Sequence, residues 1–152
     1  MTSPLLFKSI LAATLPFILL LSPVAFAKEG IVTLQTVGPD RRVAVEIADT
    51  PEARAKGLMF HSNLRDGEGM YFIFQVTEPQ IFWMKNVPFP LDILFIGADG
   101  TIVAIAPNVP PCHREPCPLY HSVKPVRAAL ELPGGWCDKY GVRVGGKVEY
   151  RP

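Results

Sequence analysis

The sequence predicts a β-rich α+β domain: a small barrel-like or strongly curved antiparallel or mixed sheet with two short helices. Short apolar and alternating runs recur along the chain, and clusters of Gly, Pro, Asn and Asp separate them. Sixteen prolines are too many for a helical bundle. The pattern therefore favours many short strands over long helices.

A leader segment precedes this domain. Lys8 is followed by an apolar run over residues 10–21, which is short for a membrane span. A small-x-small cleavage pattern then ends at Ala27. We therefore predict a signal peptide over residues 1–27 and one periplasmic or secreted domain over residues 28–152.

The charge balance of the domain limits its partners. Lys8 is the only charged residue of the leader, so the domain has fourteen Lys and Arg against fourteen Asp and Glu, a net charge of zero. No basic run is present to neutralise phosphates. We therefore expect no nucleic-acid partner and, once the leader is removed, no membrane association.

Two strands and a helix begin the domain. Residues 31–37 and 42–48 are strand-like, and a turn rich in Gly, Pro and Asp joins them. Thr50 as N-cap and Pro51 at the first helical position begin a short helix, which Gly57 ends or kinks.

Strands dominate the rest of the chain. Further strands are predicted over residues 70–74, 81–84, 91–96, 101–106 and 126–132. Residues 107–118 form a proline-rich loop. Residues 134–140 form one or two helical turns closed by Gly141, and residues 142–150 end the domain with a glycine turn and a strand.

Five segments, in their order and spacing, resemble the bacterial and archaeal family called domain of unknown function 192: VEIADTPEARAKGLMF, GMYFIF, FWMKNVPFPLDILFI, PPCHREPCPLY and GVRVGGKV. The resemblance covers about residues 31–150, and FWMKN followed by PLD is its most specific signature. It implies a compact β-rich domain, often exported, and no particular reaction. Gly146 and Cys137 depart from the family's usual pattern, which has an aspartate and a small residue there.

The signature segment could be a structural corner. Pro88 and Pro90 prevent regular ladder bonding, so the chain must form a loop or a sheet edge there. Asn86 suits a turn, and Asp92 could cap backbone N–H groups of this loop or pair with Lys85.

The same segment could instead be a binding site. The candidate site residues are Trp83, Lys85, Asn86 and Asp92, with Glu68 and Met70 across from them. A cation, an amide and a carboxylate beside an indole suit a small polar ligand with an apolar part, or another exported protein. We therefore expect a non-catalytic binding or accessory module; the alternative is a small enzyme using Lys85 or Asp92 as its acid–base group.

The cysteines predict a disulfide. Cys112 and Cys117 bracket a rigid, proline-flanked loop of an exported protein, where oxidation is expected. The alternative is zinc bound by these two residues, His121 and His113, although this cysteine spacing suits zinc poorly. Cys137 is left over and is expected to be a buried small hydrophobe.

A set of soft ligands offers another metal hypothesis. Met59, Met70 and Met84 could bind Cu(I) with His61 and Trp83 nearby. These methionines lie on separate elements without close spacing, so we expect them to fill the core instead. No cofactor or metal is therefore predicted.

Overall fold

The computed structural model describes residues 28–152. The predicted signal peptide over residues 1–27 lies outside the described residues. Within the described part, strands and helices follow in the order β1 Glu29–Leu34, β2 Arg41–Ala48, α1 Pro51–Lys56, β3 Glu68–Glu78, β4 Ile81–Trp83, β5 Leu91–Ile96, β6 Ile102–Val109, β7 Leu119–His121, β8 Val126–Pro133, α2 Trp136–Tyr140 and β9 Val148–Arg151.

Seven strands form one strongly curled mixed sheet, a half-barrel, in the order β6-β5-β8-β3-β2-β1-β9. Strands β2 and β3 pair in parallel, and the other neighbours pair antiparallel. Strands β4 and β7 form a separate two-stranded ribbon. The predicted β-rich class with two short helices is confirmed.

The two edge strands of the half-barrel meet at one end. Thr101 and Lys147 form an isolated antiparallel bridge. The Val148 N–H donates to the Gly100 carbonyl at 2.9 Å, and the Ile102 N–H donates to the Gly146 carbonyl at 2.9 Å. The sheet therefore closes on itself here, which protects part of both edges.

The core lies on both faces of the sheet. One cluster draws on all seven strands and α2, and includes Leu94, Leu130 and Trp136. The second lies between the sheet, the β4–β7 ribbon and the segment after α1, and includes Phe72 and Phe95. Because both faces are covered, every residue of β5 is buried.

Local signals explain the predicted elements. The Thr50 side chain accepts a hydrogen bond from the Ala53 N–H at 3.1 Å, as expected of an N-cap, and Gly57 follows α1 with a φ of 48°. Strand β3 extends well beyond the predicted residues 70–74. Strand β7 was not predicted, because its three residues directly follow the proline-rich loop and are not part of a longer apolar run, whereas β4 lies in the apolar run 81–84.

No helix among residues 28–152 has the length and apolar character needed to cross a membrane.

Candidate ligand-binding site

Trp83 and Lys85 lie together at the end of β4. Alternation in this strand directs Phe82 towards the core, edge-on to Phe72 with ring centroids 5.1 Å apart, and leaves Trp83 46% exposed. Lys85 Nζ lies 5.5 Å from the centre of the Trp83 ring and 2.6 Å from a carboxylate oxygen of Glu115. The corner therefore presents an indole and a cation to solvent.

Asn86 is a turn residue beside this pair. Its φ is 57°, a left-handed conformation that asparagine tolerates, and its carbonyl accepts from the Phe60 N–H at 2.9 Å. Its side chain lines a neighbouring depression of about 550 Å³ with Pro111 and His113.

Asp92 holds backbone elements together and is fully buried. One carboxylate oxygen accepts from the N–H groups of Asn108 at 2.7 Å and Gly135 at 2.9 Å, and the other accepts from the Cys137 N–H at 2.7 Å. The expectation that Asp92 caps its own loop or pairs with Lys85 is therefore wrong. Its bonds join β5 to β6 and to the start of α2.

Glu68 and Met70 do not face Trp83. The Glu68 carboxylate accepts from Arg65, by the Nε–H at 2.7 Å and the backbone N–H at 2.9 Å, and the two residues form a salt bridge. Met70 is 5% exposed and belongs to the second core cluster.

The cysteines agree with the disulfide prediction. The sulfur atoms of Cys112 and Cys117 lie 2.07 Å apart, which is bonding distance. The zinc hypothesis therefore loses both of its thiolate ligands. Cys137 is a buried free thiol, and burial together with Asp92 raises its pKa, as expected of an inert residue.

The methionines are divided between two environments. Met70 and Met84 are buried in the second core cluster, whereas Met59 lines a cavity next to Trp83. No group of three or more His, Cys, Asp or Glu able to hold a metal ion is found within residues 28–152.

The cavity next to Trp83 has a volume of about 30 Å³, and its lining includes Trp83, Lys85, Met59 and Glu131. Glu131 is only 4% exposed while Trp83 is 46% exposed, so Glu131 forms the inner end and Trp83 the outer end. This volume suits a small polar group of a few atoms. The cavity therefore connects the exposed corner to a buried acid.

The Glu131 carboxyl is unusual because it is buried while one of its oxygens, Oε2, lacks a hydrogen-bond partner among the described residues. In the sheet, Glu131 lies opposite Met70 on one side and Ile93 on the other. Burial among these apolar neighbours raises its pKa from 4.5 to about 8.

An open apolar cleft of about 290 Å³ adjoins this cavity, and Phe72, Phe82, Trp83 and Arg54 line both. Ile81, 57% exposed, extends the cleft along β4. Together the two spaces offer an apolar surface that leads to a buried polar end, which is the usual composition of a small-molecule site.

A separate depression of about 460 Å³ lies over β1, β2 and the start of β3. Of the three acids that line it, the Glu46 carboxylate is 3.2 Å from His61 Nε2, Glu68 pairs with Arg65, and Glu29 is exposed to solvent, so none is buried without a partner. We therefore place the candidate site at the Trp83 corner, where a buried polar atom lacks one.

Sequence reasoning did not identify Glu131. Alternation in β8 puts it with Arg127 and Ala129, a face that looks solvated in the sequence. The one available signal was an acid inside an otherwise apolar run. That this face is covered by α1 and the β4–β7 ribbon became apparent only in the structure.

The fold and the site define a class: a small curled-sheet domain with an apolar cleft that ends at a buried acid. The chain belongs to the DUF192 family, domain of unknown function 192, described as an uncharacterized ACR, whose model matches residues 32–150. The resemblance seen in the sequence is thereby confirmed.

Two solved structures are similar to this chain. A candidate transcription regulator from Sinorhizobium meliloti 1021 is 38% identical, with a TM-score of 0.76, covering 82% of this chain and 95% of that one. A protein of unknown function from Novosphingobium aromaticivorans DSM 12444 is 35% identical, with a TM-score of 0.77, covering 84% and 89%. No match was found among curated proteins.

Proposed function

We propose that this protein is an exported, non-catalytic module that binds a small ligand with a polar head and an apolar body at the Trp83 corner. The observation that carries the proposal is the buried Glu131 carboxyl, whose Oε2 has no partner within residues 28–152, at the inner end of a cavity whose outer end is the exposed Trp83 ring. A buried polar group without a partner is destabilising, and a ligand head would satisfy it.

Two features argue against the predicted acid–base roles. Lys85 is 37% exposed and paired with Glu115, so it lacks the desolvation that would activate an amine. Asp92 uses both oxygens to hold backbone N–H groups.

A second candidate function rests on Glu131 itself. A carboxyl with a pKa of about 8 can donate or accept a proton near neutral pH, which is what a general acid or base requires. A small enzyme using Glu131 is therefore the rival to a binding module.

The binding proposal is tested by protein-observed NMR with a library of small aromatic and aliphatic fragments. We expect hits whose shifts map to Phe82, Trp83 and Lys85, with Trp83→Ala weakening them about tenfold. Leu119→Ala, which removes the exposed partner of Trp83 in the ribbon, is the matched control and should leave affinity nearly unchanged.

Two outcomes would contradict this proposal. Fragment shifts confined to the depression over β1 and β2 would place the binding site there and not at the Trp83 corner. Conversion of a hit during prolonged incubation, abolished by Glu131→Gln, would favour the enzyme.

Export is supported by the leader pattern and by the Cys112–Cys117 pair. Expression of the full chain should give a periplasmic or secreted product that begins near residue 28 and gains about two daltons on reduction. A full-length product retained in the cytosol would contradict export.

A further inference from the structure

The charges around the cavity are unequal. Its lining carries three cations, Arg54, Lys56 and Lys85, and a single acid, Glu131. Arg54 donates to the backbone carbonyls of Asp49 at 2.8 Å and Ile73 at 3.0 Å. Within residues 28–152 it forms no salt bridge, although the Asp49 carboxylate, which is bonded to Lys28, lies near enough to interact with its charge. The mouth of the cavity therefore favours an anion.

In the part of the chain that the structure describes, the strands on either side of β8 place no charged residue directly opposite Glu131. Its neighbours in β3 and β5 are Met70 and Ile93, both buried and uncharged. Glu46 of β2 is paired with Met70, about 10 Å from Glu131 at two strand spacings, and is bonded to His61. On α1, Glu52 is exposed in the first turn and does not line the cavity, whereas Arg54 and Lys56 do. At the corner, Glu115 reaches the site only through Lys85.

Glu131 is therefore held as a neutral carboxylic acid at neutral pH. Burial raises its pKa to about 8, and in this form its hydroxyl is a hydrogen-bond donor. A charged amine entering the cavity would meet two like charges, Arg54 and Lys56, a third on Lys85 that Glu115 partly offsets, and a neutral acid. An anionic acceptor would meet the same cations as opposite charges, together with a donor.

We infer that the ligand's polar head is a carboxylate, which accepts the hydroxyl hydrogen of Glu131 at the inner end of the cavity while an apolar body lies along Trp83 and Ile81. This inference rests on the proposed binding function. A carboxylate has three heavy atoms and fits a space of about 30 Å³, and the adjoining cleft of about 290 Å³ suits a single ring or short alkyl chain.

The arrangement makes binding depend on pH. Between the ligand's own pKa, about 4–5, and the pKa of Glu131, the two carboxyl groups share one proton in a charge-assisted hydrogen bond. Above it both are ionised in a space of low polarity, and they repel. Affinity for the acid should therefore be retained between the two pKa values and fall as the pH rises through about 8.

The test uses two matched probe series, benzoate with benzamide and benzylammonium, and hexanoate with hexanamide and hexylammonium. Affinities are measured by NMR titration of the disulfide-intact protein at about pH 6 and about pH 10. At about pH 6 we expect the acid of at least one series to bind at Phe82 and Trp83 about tenfold more tightly than its amide and amine. At about pH 10, two units above the pKa of Glu131, its affinity should fall by up to about a hundredfold.

Variants separate the role of Glu131 from general charge effects. Glu131→Gln keeps a donor but cannot ionise, so acid binding should persist and lose its pH dependence. Glu46→Gln is the matched control, because Glu46 lies on β2, two strands away from Glu131. This variant should retain the pH dependence. Glu115→Gln should strengthen acid binding severalfold, because it frees the Lys85 ammonium.

The outcomes distinguish the two proposals. If an amide or amine binds this corner as tightly as its acid, the inference of a carboxylate head is wrong, and the proposed binding site is retained. Acid binding that is equal at both pH values would overturn the role of Glu131. An absence of shifts at Phe82, Trp83 and Lys85 with every probe would overturn both the ligand class and the site.

Discussion

At the scale of single residues, two buried acids in this protein have opposite environments. Asp92 accepts three backbone N–H bonds, so its burial is compensated. Glu131 is buried to a similar degree, but its Oε2 has no partner among the described residues. The first residue therefore stabilises the fold, and the second lowers stability and marks a site.

Glu131 should make the free energy of unfolding fall as the pH rises. Its pKa is about 8 in the folded protein and near 4.5 when unfolded, so between these values the folded state binds the extra proton. The stabilisation by this proton is complete below about 4.5 and is lost as the pH passes about 8. Urea unfolding across this range should show a decline of several kcal/mol that Glu131→Gln removes.

The control for this prediction is Glu78→Gln, at the exposed end of β3, which should keep the native slope. An unchanged slope in Glu131→Gln would show that Glu131 ionises normally in the folded state.

At the scale of elements, α2 depends on tertiary contacts. It has only five residues, and its N-cap Gly135 provides no side-chain cap. Asp92 supplies the missing acceptors, and Asp66 accepts from Trp136 Nε1–H at 2.8 Å and Tyr140 O–H at 2.6 Å. The hydrogen bond from Lys139, the largest cause, and these contacts lower the Asp66 pKa to about 2.

Asp92→Asn should therefore detach α2 and lower stability by about 2–4 kcal/mol, because the amide NH₂ turns a donor towards backbone donors. Chemical denaturation measures this loss. Asp138→Asn makes the same carboxylate-to-amide change on α2 itself. Because the Asp138 side chain is 83% exposed, this variant should change stability little. Equal effects of the two variants would mean that Asp92 acts only through its charge.

At the scale of the whole molecule, the half-barrel is held closed where β6 and β9 meet. Gly100 has a φ of 78°, and a Cβ at this position would lie 2.8 Å from the Val148 carbonyl oxygen. The close approach of the two edges therefore requires glycine here.

Gly100→Ala should lower stability by about 2–3 kcal/mol, because it combines backbone strain with a clash against the Val148 carbonyl oxygen. Gly67→Ala is the matched control, since its φ is 85° but nothing lies within 4 Å of the added Cβ. It should cost about 1 kcal/mol. The free energies of unfolding of both variants are measured by thermal or urea unfolding. Similar losses for the two would show that β6 and β9 can move apart at Gly100 without further cost.

Local signals in the sequence determined most of the strands and both helices. Thr50 and Pro51 specify the start of α1 by backbone chemistry within one turn, and the apolar run of β5 reports burial on both faces. Strand β7 was not predicted, because it forms only by pairing with β4, which lies far from it in the sequence. Local signals therefore locate most elements, whereas the tertiary partners that hold them, such as Asp92 for α2 and β7 for β4, cannot be read from the sequence.

The candidate site divides in the same way. The signature segment identified Trp83 and Lys85, which the structure brings together where the chain leaves β4, with Lys85 Nζ 5.5 Å from the centre of the Trp83 ring. The sequence could not show that Asp92 turns inward towards α2 or that Glu131 faces a covered cavity. Those outcomes depend on which face of each strand the curled sheet covers, and only the tertiary structure decides that.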